Sequence, residues 1–357
     1  MKIEDCYDIN FSKINFLERK EKISSNKTFI YGASKVGKTY LIFDFLSNFK
    51  SNEYLYIDFY DLRNEVLEDI ENLQDFIDKK EIKTLVLENF SNEFTLPNCE
   101  NIVISNEEKV EFFALESYDF IYLQALDFEE YLLHDTKSQN ETHSFNNFLK
   151  YGNLPEIIAI EENKKIKRVQ EIIELFSKDD TDFQIFKILA LNIDEKKSLF
   201  QLFNNLKTKI KISKDRFYET CKTLEKQNRV FFVDKFNQEK SAKKIYIYNH
   251  SFLNALTHTK KFKQEFTNMV FLEAFKEYKE IYYLDNIDFY IKNENLALVC
   301  IPFFNSFLNA NLLKKVIKTA LEFEIKKIEI ITISNSEKIK NQNMQIEAIP
   351  FYEWALS

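Results

Sequence analysis

Across the first 130 residues, short continuous apolar runs that end in polar groups alternate with stretches of helical spacing. The runs are Thr28–Tyr31, Glu53–Phe59, Lys83–Asn89, Asn101–Asn106 and a fifth that begins at Phe120. Each is apolar on successive residues, the mark of a strand covered on both faces, whereas a half-exposed strand would alternate. Helical spacing appears between them in Tyr40–Leu46 and in the polar stretch Asn64–Asp78. Strands alternating with helices predict an α/β fold with a parallel sheet. Ligands bind such sheets at the carboxyl ends of the strands, where the polar residues fall here. A short helix is also expected over Asn15–Glu21, ahead of the first strand.

Beyond the fifth run the pattern changes. Asp127 is a helix N-cap with Glu129 and Glu130 in the first turn, where acids favour the dipole, and Gly152 followed by Pro155 is a helix stop. From Asp182 onward three short helices are predicted: Phe183–Asn192, Ser198–Leu206, and one capped by Ser213 that runs to Gln227. In the third, Phe217, Cys221 and Leu224 line one face, and Asp215, Glu219, Lys222 and Lys226 the other. Two strands, Val230–Asp234 and Lys244–Tyr248, follow with lysine-rich residues between them. Three helices and a two-stranded wing predict a winged helix. The last segment reads helix Lys261–Tyr278, strands Glu280–Leu284, Ile287–Lys292 and Leu296–Pro302, helix Asn309–Phe323, strand Lys327–Thr332.

The first strand runs directly into Gly32-Ala33-Ser34-Lys35-Val36-Gly37-Lys38-Thr39, followed by Tyr40 and the first helix. This is G-x-x-x-x-G-K-T, the phosphate-binding P-loop. Its glycines let backbone N–H groups curl round an anion. Lys38 reaches the β- and γ-phosphates, Thr39 offers a hydroxyl to Mg²⁺, and the helix N-terminus adds partial positive charge. Composition sharpens the reading. The chain has three glycines in 357 residues, where average usage of roughly 7% would give about 25. Two of the three are Gly32 and Gly37.

Length predicts two or three domains, and 45% apolar with 30% charged residues is ordinary for a globular protein. Abundant Phe, Lys, Asn and Ile with scarce Gly, Pro and Arg fit the codon bias of an AT-rich genome. No apolar run is long enough to span a membrane, the N-terminus lacks an apolar signal core, and Cys6, Cys99, Cys221 and Cys300 have no paired spacing. A cytoplasmic protein without a zinc site is expected. The formal net charge is −8, yet residues 205–244 hold ten Lys and two Arg against five acids, a net of +7. That asymmetry makes the segment a candidate DNA contact, through the third helix and the wing lysines, or a solvated basic face.

The motifs together resemble those of bacterial and archaeal AAA-type ATPases that carry a winged helix and a restriction-endonuclease-like C-terminal domain of unknown function. Arg19–Glu21 resembles the family's leading Arg-Glu helix, and Gly32–Thr39 its Gly-x-x-x-Val-Gly-Lys-Thr loop. Leu126–Tyr131 resembles its Leu-Ser-Phe-x-Glu-Phe element, and Tyr151–Glu156 its Tyr-Gly-Gly-x-Pro-Glu turn, with Asn153 for the second Gly. The resemblance implies an AAA-like P-loop NTPase sheet with a small helical lid over 1–160. A winged helix over 161–255 and a small α/β nuclease-like domain over 256–357 would follow.

The departures set the chemistry. Such ATPases end the third strand in Asp-Glu, one acid for Mg²⁺ and one for water; here the pair is Glu88-Asn89. Glu88 keeps a charge for a metal-bound water, while Asn89 can orient water but cannot act as a base. Asp58 is a weaker Mg²⁺ candidate, and Ser105 and Asn106 are either γ-phosphate sensors or caps. No Arg lies between Glu111 and Asp127, so a trans-acting arginine finger is not expected. In the last domain Glu273 and Asp288 fit two positions of a nuclease metal site, but Cys300-Ile301-Pro302 stands where Glu-x-Lys would be. A nuclease is therefore not expected, and the domain reads as a docking platform for a protein partner. The preferred expectation is an ATP- and Mg²⁺-binding switch, with nucleotide setting the angle between the core and the later domains and with slow or absent hydrolysis. The alternatives are a working ATPase and a DNA-binding regulator with a vestigial nucleotide site.

Overall fold

The apolar runs form five strands, all parallel: β1 (Lys27–Tyr31), β2 (Tyr54–Asp58), β3 (Thr84–Glu88), β4 (Asn101–Asn106) and β5 (Asp119–Tyr122). Their order across the sheet is β2-β3-β4-β1-β5. The computed structural model describes residues 3–357 apart from 12, 16, 65–69, 91–94, 111–114, 116, 139, 176 and 239. Phe29, Leu55, Leu85, Leu87, Ile102 and Ile104 are buried in one cluster, as continuous apolar strands require. Helix α1 (Lys38–Leu46) leaves the P-loop, and α2 (Leu73–Lys80) precedes β3. The helix expected over Asn64–Asp78 falls partly on 65–69, outside the described residues.

The expected helix over Asn15–Glu21 does not form among the described residues. Seven residues with a charged run at 18–21 are below the length at which a helix holds itself. Arg19 is instead buried in an irregular segment and braces the P-loop, as described below.

Residues 1–125, with 226–228, make one compact unit; 126–225 and 229–357 make the other. Helices after Asp127 pack with later residues of the second unit. Helix α3 (Phe128–His134) has Asp127 as N-cap in a reciprocal box with Glu130. Helix α4 (Glu141–Tyr151) ends at Gly152, and α5 (Pro155–Ala159) starts on Pro155. Phe128, Phe145 and Phe148 all lie against Phe351. Gly152 does more than stop a helix. Its φ is 81°, and a Cβ there would stand 2.2 Å from Asn249 Oδ1 and 2.6 Å from Ser251 Oγ. Gly152→Ala is expected to cost about 2 kcal/mol through overpacking and backbone strain, read as a lower urea midpoint.

After α6 (Glu162–Leu175), helices α7 (Asp180–Ala190), α8 (Leu199–Lys207) and α9 (Lys214–Lys226) precede an antiparallel ribbon, β6 (Val230–Val233) with β7 (Lys244–Ile247). Phe217, Cys221 and Leu224 are buried on α9, and Asp215, Glu219 and Lys222 are exposed, as the periodicity predicts. Next come α10 (Phe252–Leu256), α11 (Phe262–Glu277), β8 (Ile281–Leu284), β9 (Ile287–Ile291) and β10 (Leu296–Cys300). Helix α12 (Ala310–Glu322), β11 (Lys327–Thr332), β12 (Glu337–Ile339), β13 (Gln345–Pro350) and α13 (Phe351–Trp354) complete the chain. The sheet order is β12-β13-β11-β10-β9-β8, parallel along β13-β11-β10 and antiparallel elsewhere. Strands β12 and β13 were not expected from the sequence.

With so little glycine, other residues take the left-handed turns. Ten non-glycine residues have positive φ among the described residues, five of them Asn: Asn89, Asn228, Asn237, Asn286 and Asn295. Asn tolerates this region because its short polar side chain bonds locally. No helix among the described residues is long and apolar enough to cross a membrane.

Candidate functional site

Strand β1 lies between β4 and β5, so the loop after it opens at the carboxyl edge of the sheet. Gly32 has φ 152°, and a Cβ there would meet the Leu123 carbonyl oxygen at 2.1 Å. That glycine is needed by the neighbouring strand end as well as by any phosphate. Lys35 turns the loop with φ 65°, and Gly37 caps α1 with φ 104°. The loop is braced from outside: the Arg19 guanidinium donates to the Val36 carbonyl at 2.8 Å and to the Gln124 carbonyl at 2.9 Å. Inside it, the buried Lys38 ammonium donates to the carbonyls of Gly32 (2.8 Å) and Ala33 (2.9 Å). Ala33 and Val36 are buried, Ser34 and Thr39 half-buried, and Lys35 and Tyr40 exposed. The Tyr40 ring rests edge-on against Phe43.

Strand register places Asp58, Glu88 and Ser105 side by side across β2, β3 and β4. The Glu88 carboxylate accepts from the Thr39 hydroxyl through Oε1 and from the Tyr56 hydroxyl through Oε2. Burial raises the Glu88 pKa above its ordinary value, opposed by these two donors. Burial, reinforced by the Glu88 charge, pushes the Tyr56 phenol up, so it remains a donor. Thr39 and Glu88, the two residues expected to serve Mg²⁺, are therefore brought together. Asn89 is not aimed at them: it has φ 56° and donates its amide to Asp58 Oδ1 at 2.7 Å. Asp58 also accepts the Tyr60 N–H at 2.9 Å, the behaviour of a turn residue. Asn106 caps locally, donating to the Phe90 carbonyl and accepting from the Glu107 N–H. Ser105 Oγ is buried beside Glu88 with no hydrogen-bond partner among the described residues.

These residues fit a nucleotide with its magnesium ion. A glycine-bounded loop at a helix N-terminus suits phosphates, and an oxygen pair at Thr39 and Glu88 suits a hard cation. The orphaned Ser105 hydroxyl supplies a further polar group on the same edge. Tyr56 and the bracing role of Arg19 were not read from the sequence. The signal for Tyr56 was its place two residues before Asp58, hence on the same face of β2.

In the second unit, the acids singled out for a metal are engaged otherwise. Glu273 Oε1 accepts the Phe128 N–H at 3.4 Å, at the start of α3. Asp288 accepts the Cys300 N–H at 2.8 Å through Oδ2 and the Lys244 ammonium at 3.2 Å through Oδ1. No cluster of three or more His, Cys, Asp or Glu suited to a metal occurs among the described residues.

The first unit is thus a parallel α/β fold with the Gly32–Thr39 loop at the carboxyl edge of its sheet. The chain matches no family model. A curated relative, the uncharacterised protein MJ1544 of Methanocaldococcus jannaschii, is 24% identical over 390 residues, covering 92% of this chain and 88% of its own. Among solved structures, the Walker-type ATPase PABY2304 of Pyrococcus abyssi is 15% identical with a TM-score of 0.45, over 65% of this chain and 91% of that one. The STAND protein PH0952 of Pyrococcus horikoshii, with its tetratricopeptide-repeat sensor, is 14% identical with a TM-score of 0.28, over 74% of this chain and 48% of that one.

Proposed function

We propose that the protein binds ATP with Mg²⁺ and acts as a nucleotide-dependent switch that hydrolyses ATP slowly or not at all. The observation that carries this is the Lys38 ammonium held at the centre of the Gly32–Thr39 loop, with Thr39 already bonded to Glu88. Lys38 and the loop N–H groups hold the β- and γ-phosphates; Thr39 and Glu88 hold the ion, which neutralises phosphate charge when bound. Slow turnover follows from what stands at the next position. Asn89 has no basic atom to take a proton from water, and its amide is committed to Asp58.

The remainder of the chain is read as a winged helix over 161–255 and a restriction-endonuclease-like domain without nuclease activity over 256–357. Three helices followed by an antiparallel ribbon support the first. The engagement of Glu273 with a backbone N–H and of Asp288 with Lys244 supports the second. A protein partner on the last domain completes the reading.

The test is calorimetry of ATP on the full chain, with Mg²⁺ and with EDTA, alongside phosphate release. Binding that needs Mg²⁺, with release at background, is the expected result. Turnover well above background would replace the switch by a working ATPase. No binding at all would make the nucleotide site vestigial.

A further inference from the structure

The basic excess of residues 205–244 is split by the fold, with Lys222, Lys226 and Lys240 exposed outside its two main groups. Five of its twelve basic side chains are paired with carboxylates or buried. Arg216 lies 2.6 Å from Asp182 and 3.1 Å from Asp179, Lys235 is 2.8 Å from Asp285, and Lys243 is 3.1 Å from Asp234. Lys244 is buried between Asp194 and Asp288, and Arg229 is buried. The wing lysines that the sequence offered to phosphates are thus largely neutralised by neighbouring carboxylates.

The other part is different. Lys207, Lys209, Lys211 and Lys214 are all exposed, and they occupy the end of α8, the turn and the first residue of α9. No acid interrupts 206–214. None of the four forms an ion pair among the described residues. Three aromatic rings adjoin them: Lys214 Nζ sits 5.9 Å from the half-exposed Phe200 ring and 5.7 Å from Tyr218, and Lys207 Nζ 5.8 Å from Phe203. Four unpaired ammonium groups in one exposed turn make a surface for a repeating anion. The acids nearby set its limits. On the outward face of α9, Asp215 and Glu219 offset Lys222 and Lys226, so that face has no net attraction for a polyanion and is not the one proposed to meet it.

We propose that the α8–α9 turn docks on the phosphate backbone of a nucleic acid, through Lys207, Lys209, Lys211 and Lys214, without reading sequence. This does not rest on the nucleotide site. Four phosphate contacts on a duplex give a salt slope of about −3.6, so affinity falls about 150-fold between about 50 and 200 mM salt.

The test is fluorescence anisotropy of the full chain with a labelled random-sequence DNA duplex, the matching single strand, an RNA duplex and a poly-glutamate peptide. Expected are binding to at least one nucleic acid with that steep salt dependence, indifference to sequence, and weaker binding to poly-glutamate. The polymer bound best identifies the source of the phosphates. Lys209→Glu with Lys211→Glu should weaken binding at least tenfold, while Lys235→Gln with Lys243→Gln leaves it within twofold. No binding at 50 mM salt, equal affinity for poly-glutamate, or loss in the wing variant but not the turn variant would overturn the proposal.

Discussion

Lys244→Ala is expected to destabilise the second unit by about 4 kcal/mol, the cost of removing one partner from a buried ion pair. The lysine starts β7, Asp194 follows α7, and Asp288 lies on β9, so one ammonium ties three elements together. Lys244 Nζ is 2.5 Å from Asp194 and 3.2 Å from Asp288, and the Tyr246 hydroxyl donates to Asp194 at 3.0 Å. Burial works against the Lys244 charge, yet the carboxylates of Asp288 and Asp194 hold its pKa above the ordinary lysine value. Burial raises the Asp194 pKa even with the lysine beside it. Without the ammonium the Asp194 carboxylate is left buried beside a second carboxylate, and its pKa rises further. A carboxyl raised in the folded state favours folding at low pH and loses that contribution as pH climbs through the raised value. The variant should therefore recover stability from pH 7 to pH 5, read from urea midpoints. Adding Asp194→Asn and Asp288→Asn should restore much of the loss at pH 7. A Lys244→Ala midpoint close to wild type at pH 7 would refute the account.

Lys38→Ala is expected to weaken ATP binding about 100-fold with little effect on folding. A hydrogen bond to a charged group contributes about 1.5–3 kcal/mol, and the ammonium offers more than one donor to the phosphates. In the protein those donors already point into the loop, at the carbonyls of Gly32 and Ala33. Little rearrangement is then needed for them to turn to an anion. Alanine keeps the first residue of α1 helical, so the unfolding midpoint should barely move. Lys38→Arg should not rescue binding, since a planar guanidinium does not fit the space of a compact ammonium. Calorimetry with ATP and Mg²⁺ checks both variants. Undiminished affinity in Lys38→Ala would place the nucleotide elsewhere or nowhere.

The P-loop and the strands around it were legible because their signals are local. Gly32, Gly37, Lys38 and Thr39 lie within eight residues, and each burial pattern is contained in its own strand. What escaped the sequence is made of pairs far apart along the chain. Tyr56 finds Glu88 across two strands, Arg19 reaches Gln124, and Lys235 reaches Asp285. No window of local spacing encodes such partners. The lysines of the wing illustrate the cost: counted along the sequence they form a basic segment, yet their charge is spent within the fold. The expected helix at Asn15–Glu21 failed for the opposite reason. Its local pattern was too short to hold against a buried guanidinium seeking carbonyls. Strands β12 and β13 were missed because their alternating burial lies among polar residues at 337–350.

The asparagines at left-handed positions carry a consequence of their own. Each non-glycine residue in that region costs on the order of 1 kcal/mol relative to glycine. Spread over Asn228, Asn237, Asn286 and Asn295, this is a standing conformational load placed at turns outside the nucleotide loop. The scarcity of glycine, three in 357 residues, thus sets part of the chain's margin of stability, independently of what the protein does.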